Sequence, residues 1–103
     1  MSFKAVILLS RREDMSADEF RSWWLNDHAP LAAQRPGVRK IIFTAPADTD
    51  DIDGISELWF DTEADFVAAY ATDLGKNVAA DSMAHVRSRV RLFVTEHAIV
   101  ARQ

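Results

Sequence analysis

SADEFRSWWLNDHAPLAA, residues 16–33, decides how this chain folds, because it separates two apolar runs and carries its own start signal. Ser16 stands three positions before Glu19, the spacing at which a capping serine and a glutamate satisfy each other's backbone N–H groups at a helix start. Phe20, Trp24 and Leu31, with Trp23 beside them, follow the three-and-four spacing of one helical face. His28 falls four after Trp24 and three before Leu31, so its ring is expected on that same inward face. Pro30 has no N–H, and inside a straight helix it would leave the carbonyl of Asn26 without a partner at a cost of about 3 kcal/mol. A kink or a fresh start near Ala29 is therefore expected.

Upstream, Phe3 to Leu9 is nearly all apolar and reads as a central strand. Downstream, Arg35-Pro-Gly37 stops the helical region, and Val38 to Ala45 reads as a second strand. An acidic loop, PADTDDIDG, leads into a third strand from Ile55 to Phe60, and a hairpin joins the two. Thr62 with Asp65 gives a second N-cap, and Phe66, Tyr70 and Leu74 give the next helix its inner face. Gly75 is expected to break that helix, with a short continuation from Lys76 to Ala84. A last strand runs from about Arg89 to Val100 and should reach beyond the body of its own sheet.

The order β, α, β, β, α, β predicts an α+β fold of the ferredoxin-like kind, a four-stranded antiparallel sheet with both helices on one face. The other sheet face is then uncovered, and a second copy of the same sheet is the economical cover. At 103 residues the chain is one domain, residues 1–103, and a core this small gains from pairing into a homodimer.

Composition excludes several functions. The net charge of −4 argues against a nucleic-acid partner, since the one basic cluster, Arg87, Arg89 and Arg91, is short. An RNA-recognition sheet shares this strand order but needs a basic surface and an aromatic motif that the chain lacks. With no cysteine there are no disulfides, thiolate nucleophiles, iron–sulfur clusters or cysteine-held zinc. The run AVILL, Ala5 to Leu9, is too short for a signal-peptide core or a membrane span, so a soluble, unprocessed, cytoplasmic protein with no membrane partner is expected.

His28 is the leading candidate for chemistry, because an imidazole with an ordinary pKa of about 6.5 suits proton transfer near neutrality. Trp23 and Trp24 would make an aromatic wall one turn earlier, and the carbonyl freed by Pro30 is a candidate to fix one ring nitrogen. Asp27 lies about 100° round the helix from His28 and is expected at the rim or in solvent. Glu57 sits on an interior strand, where an unpaired carboxylate is costly. Either it faces the helices, orienting a histidine or acting as an acid, or it pairs with an arginine of the last strand. Tyr70, the only tyrosine, is a core ring or a donor to a ligand oxygen. Trp59 and Phe60 must face opposite sides of the sheet. His85 and His97 have no ligand-like spacing to His28, and no metal site is expected. Counted as a calcium loop from Asp48, the fifth position is Ile52 and the twelfth is Trp59, so that reading fails. The scattered glycines make no phosphate cradle.

Taken together, Ser16, Glu19, Phe20, Trp24, the His28-Ala29-Pro30-Leu31 run, and Pro36-Gly37 resemble the N-terminal half of the EthD family, named for a protein of ethyl tert-butyl ether degradation. ELWFDTEADF, residues 57–66, and LFVTEH near the end resemble its later segments, whereas the arginines opening the last strand match nothing in that pattern. The resemblance implies a dimeric α+β barrel, two four-stranded sheets face to face. It also implies kinship with cofactor-free isomerases, cyclases, dehydratases and quinone-forming monooxygenases, in several of which a cleft histidine is acid or base. By position that histidine is His28. A place beside an oxygenase system in a degradation pathway is implied as well.

The expected function is a cofactor-independent enzyme acting on a small, largely apolar carbonyl or aromatic compound. His28 moves a proton, Glu57 or Tyr70 orients it or binds the ligand oxygen, and Trp23, Trp24, Trp59 and Phe66 line the wall. No metal or organic cofactor is called for. The alternative is a non-catalytic accessory that binds the substrate or product of an oxygenase.

Overall fold

The computed structural model describes residues 2–47 and 51–102. Asp48, from which the calcium loop is counted, lies outside the described residues. The elements follow as β1 (Phe3–Arg11), α1 (Ala17–Ser22), a π-helical segment (Trp23–His28), α2 (Ala29–Ala33), β2 (Val38–Thr44), β3 (Gly54–Phe60), α3 (Glu63–Ala71), α4 (Asp73–His85) and β4 (Val86–Val94). The strands form one antiparallel sheet in the order β2-β3-β1-β4, which is the ferredoxin-like arrangement with β1 in the interior.

Alternation along each strand sorts the side chains into two sets. Ala5, Ile7 and Leu9 of β1 and Ser56, Leu58 and Phe60 of β3 are buried under the helices. Register places Phe43 opposite Ser56, and Arg89 and Arg91 opposite Leu9 and Ile7, so these share the helix side. Val6, Leu8, Ile42, Glu57, Trp59, Val90 and Leu92 belong to the other face, where Ile42, Val90 and Leu92 are 38–46% exposed.

The helical run opens with the expected capping box: Glu19 N–H donates to Ser16 Oγ and Ser16 N–H to Glu19 Oε1, both at 3.0 Å. The backbone then widens. Ala29 N–H donates to Trp24 O, five residues back, and Pro30 falls in the first turn of a renewed α-helix where its missing N–H is harmless. The fresh start near Ala29 is thus present, as a π turn. Its effect on side-chain direction corrects one expectation. Phe20, Trp24, His28 and Ala32 are the buried series, whereas Leu31 is 36% exposed. Steps of four drift about 40° each on an α-helix, and the wider turn takes up that drift, bringing Ala32 inward where Leu31 was expected.

Three boundaries differ from expectation. Thr72, not Gly75, divides the second helical region. Its Oγ1 donates to Ala69 O at 2.8 Å and accepts from Gly75 N–H at 3.0 Å, ending α3 and starting α4 at once. Gly75 is a contact residue: a Cβ there would lie 2.1 Å from Ala69 O. The helix that follows runs over 13 residues, Asp73–His85, longer than Lys76 to Ala84. The last strand starts earlier, at Val86, and ends at Val94 rather than Val100. Among the described residues no helix is long and apolar enough to cross a membrane.

Candidate functional site

The π turn delivers His28 to the inner surface at 4% exposure, facing α4. Its Nδ1 lies 2.9 Å from Asp81 Oδ2 and its Nε2 lies 3.2 Å from Ser82 Oγ. A carboxylate only accepts, so in the neutral ring Nδ1 carries the hydrogen and donates it to Asp81, leaving the Nε2 lone pair to accept from the serine hydroxyl. Asp81 is itself fixed. Trp23 Nε1 donates to both of its oxygens at 3.3 and 3.2 Å, and the Trp23 ring stacks on His85 at 4.0 Å. Burial holds the His28 pKa below its ordinary 6.5, and the hydrogen bond and charge of Asp81 oppose that shift without overcoming it. The ring is therefore neutral at neutral pH, with the Nε2 lone pair facing the Ser82 hydroxyl.

His28 and Ser82 line a cavity between sheet and helices. Its polar lining is His28, Arg35, Ser56, Tyr70, Ser82 and Arg89, and its apolar lining includes Ile7, Leu9, Phe43 and Leu58. The enclosed room is about 20 Å³, the space of a single water, so an organic ligand must displace side chains to enter. This lining is more polar than the largely apolar cleft expected.

Of the expected site residues, His28 and Tyr70 share this cavity. Trp23 stands behind His28 as the donor to Asp81. Trp24 is fully buried, stacked on Phe43 at 4.5 Å, and its ring lies where a Cβ on Gly54 would approach to 2.8 Å. Phe66 packs among Phe3, Phe60, Tyr70 and Phe93. These three support the walls and do not line the cavity.

Glu57 and Trp59 require correction. Both are odd-numbered on β3, whose even-numbered residues are the buried ones, and both lie on the sheet face away from the helices. Glu57 pairs with Lys4 Nζ at 2.8 Å, so it neither orients His28 nor meets an arginine of the last strand. The Lys4 ammonium also sits 4.4 Å from the Trp59 ring centroid, and Trp59 Nε1 donates to Glu96 at 3.0 Å. The carbonyl freed by Pro30 is not what fixes the imidazole, since both ring nitrogens have partners on α4. Asp27 is exposed, as expected.

Asp81 and Ser82 escape a reading that treats residues 76–84 as a short continuation. One signal was present: Gly75, Val78 and Ser82 form the buried series of α4, so a serine occupies an inner-face position of an amphipathic helix. Nothing local announces that Asp81 meets His28. Among the described residues no group of three His, Cys, Asp or Glu side chains is placed to hold a metal ion.

A family model described as the EthD domain matches residues 12–86. Among solved structures, the chain is similar to a Bacillus halodurans protein described as of the ethyl tert-butyl ether degradation (EthD) family. The TM-score is 0.82 and the identity 24%, over 94% of this chain and 100% of that one. It is also similar to a dimeric ferredoxin-like protein of unknown function from Thermobifida fusca, with TM-score 0.76 and 16% identity over 93% and 92% of the two chains. A third is SnoaB, a cofactor-independent oxygenase from Streptomyces nogalater, with TM-score 0.72 and 19% identity over 99% and 94%. No curated protein matches the chain.

Proposed function

The chain belongs to the EthD family, and on that premise we propose that it is a small enzyme in which His28 moves a proton to or from a carbonyl or aromatic compound held in the cavity between sheet and helices. The observation that carries this reading is the oriented imidazole: Nδ1 tied to Asp81 at 2.9 Å, and Nε2 3.2 Å from Ser82, with His28 and Ser82 both lining the cavity. A neutral histidine with one nitrogen fixed by a carboxylate is a general base, and Asp81 stabilises the imidazolium formed when the proton is taken. Tyr70 offers its hydroxyl to the ligand oxygen from across the same cavity. The residues present supply acid–base chemistry, and the reaction is proposed to run without a metal or organic cofactor, as the description of the SnoaB neighbour states for that oxygenase.

Ser82 is a proton-passing hydroxyl in this proposal and not a nucleophile. It lies within α4, whose backbone N–H groups belong to the helix ladder, so no free N–H pair stands ready for an oxyanion. His28→Asn tests the reading: turnover of a lactone or polyphenol substrate should be lost while ligand binding persists. Unchanged turnover with intact binding would overturn it and leave a non-catalytic accessory of an oxygenase system.

The uncovered sheet face is proposed to pair with a second copy, giving a dimeric α+β barrel. Val90, Leu92 and Ile42 are exposed there, and the Thermobifida fusca neighbour is described as dimeric. Sedimentation at micromolar concentration should give a dimer, and a stable monomer overturns the pairing.

A further inference from the structure

On the reading that this cavity is the reaction site, we infer that it recognises a substrate bearing a carboxylate, held between the guanidinium groups of Arg35 and Arg89 while the remainder of the molecule faces His28. Both arginines line the cavity. Arg35 is only 5% exposed; its Nε donates to Ala32 O at 3.3 Å and its guanidinium lies 4.9 Å from the Tyr70 ring centroid. Arg89 Nε is buried and has no hydrogen-bond partner. A third guanidinium, Arg91, stands 5.6 Å from the Tyr70 ring centroid and 5.2 Å from that of Phe93.

Among the described residues none of these three arginines has a carboxylate within ion-pair distance, whereas Arg11, Arg12 and Arg39 pair with Asp53, Asp14 and Asp61. Shortage of acids is not the reason, since the chain carries 16 acidic against 12 basic residues. Buried charges are ordinarily paired with opposite charge, and here buried Arg35 and half-buried Arg89 meet the Tyr70 ring and hydroxyl in place of a carboxylate. Burial presses the Arg89 pKa down, the nearby Tyr70 hydroxyl opposes that, and Arg91 and Arg35 add to the depression. An entering anion relieves all of this at once. The guanidinium fork matches the two oxygens of a planar carboxylate.

Benzoate and its uncharged isostere benzamide provide the test, titrated into the full chain while the arginine Nε–H resonances are followed by NMR. Benzoate should shift the Arg35 and Arg89 signals and bind on the order of 10-fold or more tightly than benzamide, the scale of a charge-assisted bidentate contact. Arg35→Gln and Arg89→Gln should each remove most of that preference. Arg89→Lys, which keeps the charge without the fork, should bind benzoate less tightly than the native chain. Equal binding of the two probes, or arginine variants that bind benzoate like the native protein, would overturn the inference. Sulfate displacing benzoate at equal concentration would also overturn the carboxylate assignment. His28→Asn separates this from the proton-transfer reading: the variant should keep the benzoate preference even if turnover shows His28 to be dispensable.

Discussion

The two faces of the sheet treat buried charge in opposite ways. On the outer face Lys4, 9% exposed, is held by Glu57 at 2.8 Å and Glu96 at 3.6 Å and capped by Trp59. On the helix face buried Arg35 and half-buried Arg89 have no carboxylate within ion-pair distance among the described residues, next to an imidazole whose two nitrogens are both engaged. A charge that serves the fold is neutralised where it stands. A charge left over at a cavity marks the place where the fold gives up stability for another purpose.

The contrast can be broken most sharply at His28. His28→Asn should lower turnover by about 10²–10⁴-fold, the usual contribution of a general acid–base group, whereas Glu57→Gln on the other face should leave the rate nearly unchanged. Steady-state kinetics on one substrate compares the two. Asp81→Asn should come next, at about 10²-fold. The amide N–H₂ would donate to Nδ1, moving the hydrogen to Nε2 and removing the base, with little change in fold.

Stability should separate the faces by sign. Lys4→Met leaves Glu57 without its cation and should destabilise by about 1–2 kcal/mol, less than for a fully buried pair because Glu57 is partly exposed. Arg89→Met removes a half-buried charge that no carboxylate pairs, at the loss of its contact with Tyr70, and should leave stability unchanged or raise it by up to about 1 kcal/mol. Urea denaturation of both variants gives the signs directly, and two changes of the same sign would abolish the distinction between the faces.

The smallest effect expected is in pH dependence. The folded His28 has a pKa below its ordinary 6.5, so between the two values the unfolded chain binds a proton that the folded chain does not. His28's contribution is fully present above about pH 6.5 and is lost as the pH falls toward the folded pKa. Stability measured from pH 7.5 to 5 should decline on the acid side in the native chain and less steeply in His28→Asn.

What could be read directly were features in which a residue's direction follows from its own element. The capping box at Ser16, the N-cap at Thr62, the inward turn of His28 and the opposed directions of Trp59 and Phe60 are of this kind. Glu57 shows the limit: its strand was correctly placed, yet periodicity alone leaves open which of two faces a polar residue takes, and only the packing of the helices over Ser56, Leu58 and Phe60 decided it. Leu31 shows another, because a π turn changes the helical phase and has no unambiguous local signature.

By itself, then, the sequence determined the element order, the starts of α1 and α3, the ferredoxin-like class and an inward histidine, all consequences of spacing along a few turns or pleats. Tertiary structure alone decided what that histidine meets. Asp81 and Ser82 lie 53 and 54 positions from it, and Arg35 and Arg89, themselves far apart in the chain, come to one cavity. Contacts at such separation depend on how whole elements stack, and that stacking is settled by the joint burial of the core rather than by any local pattern.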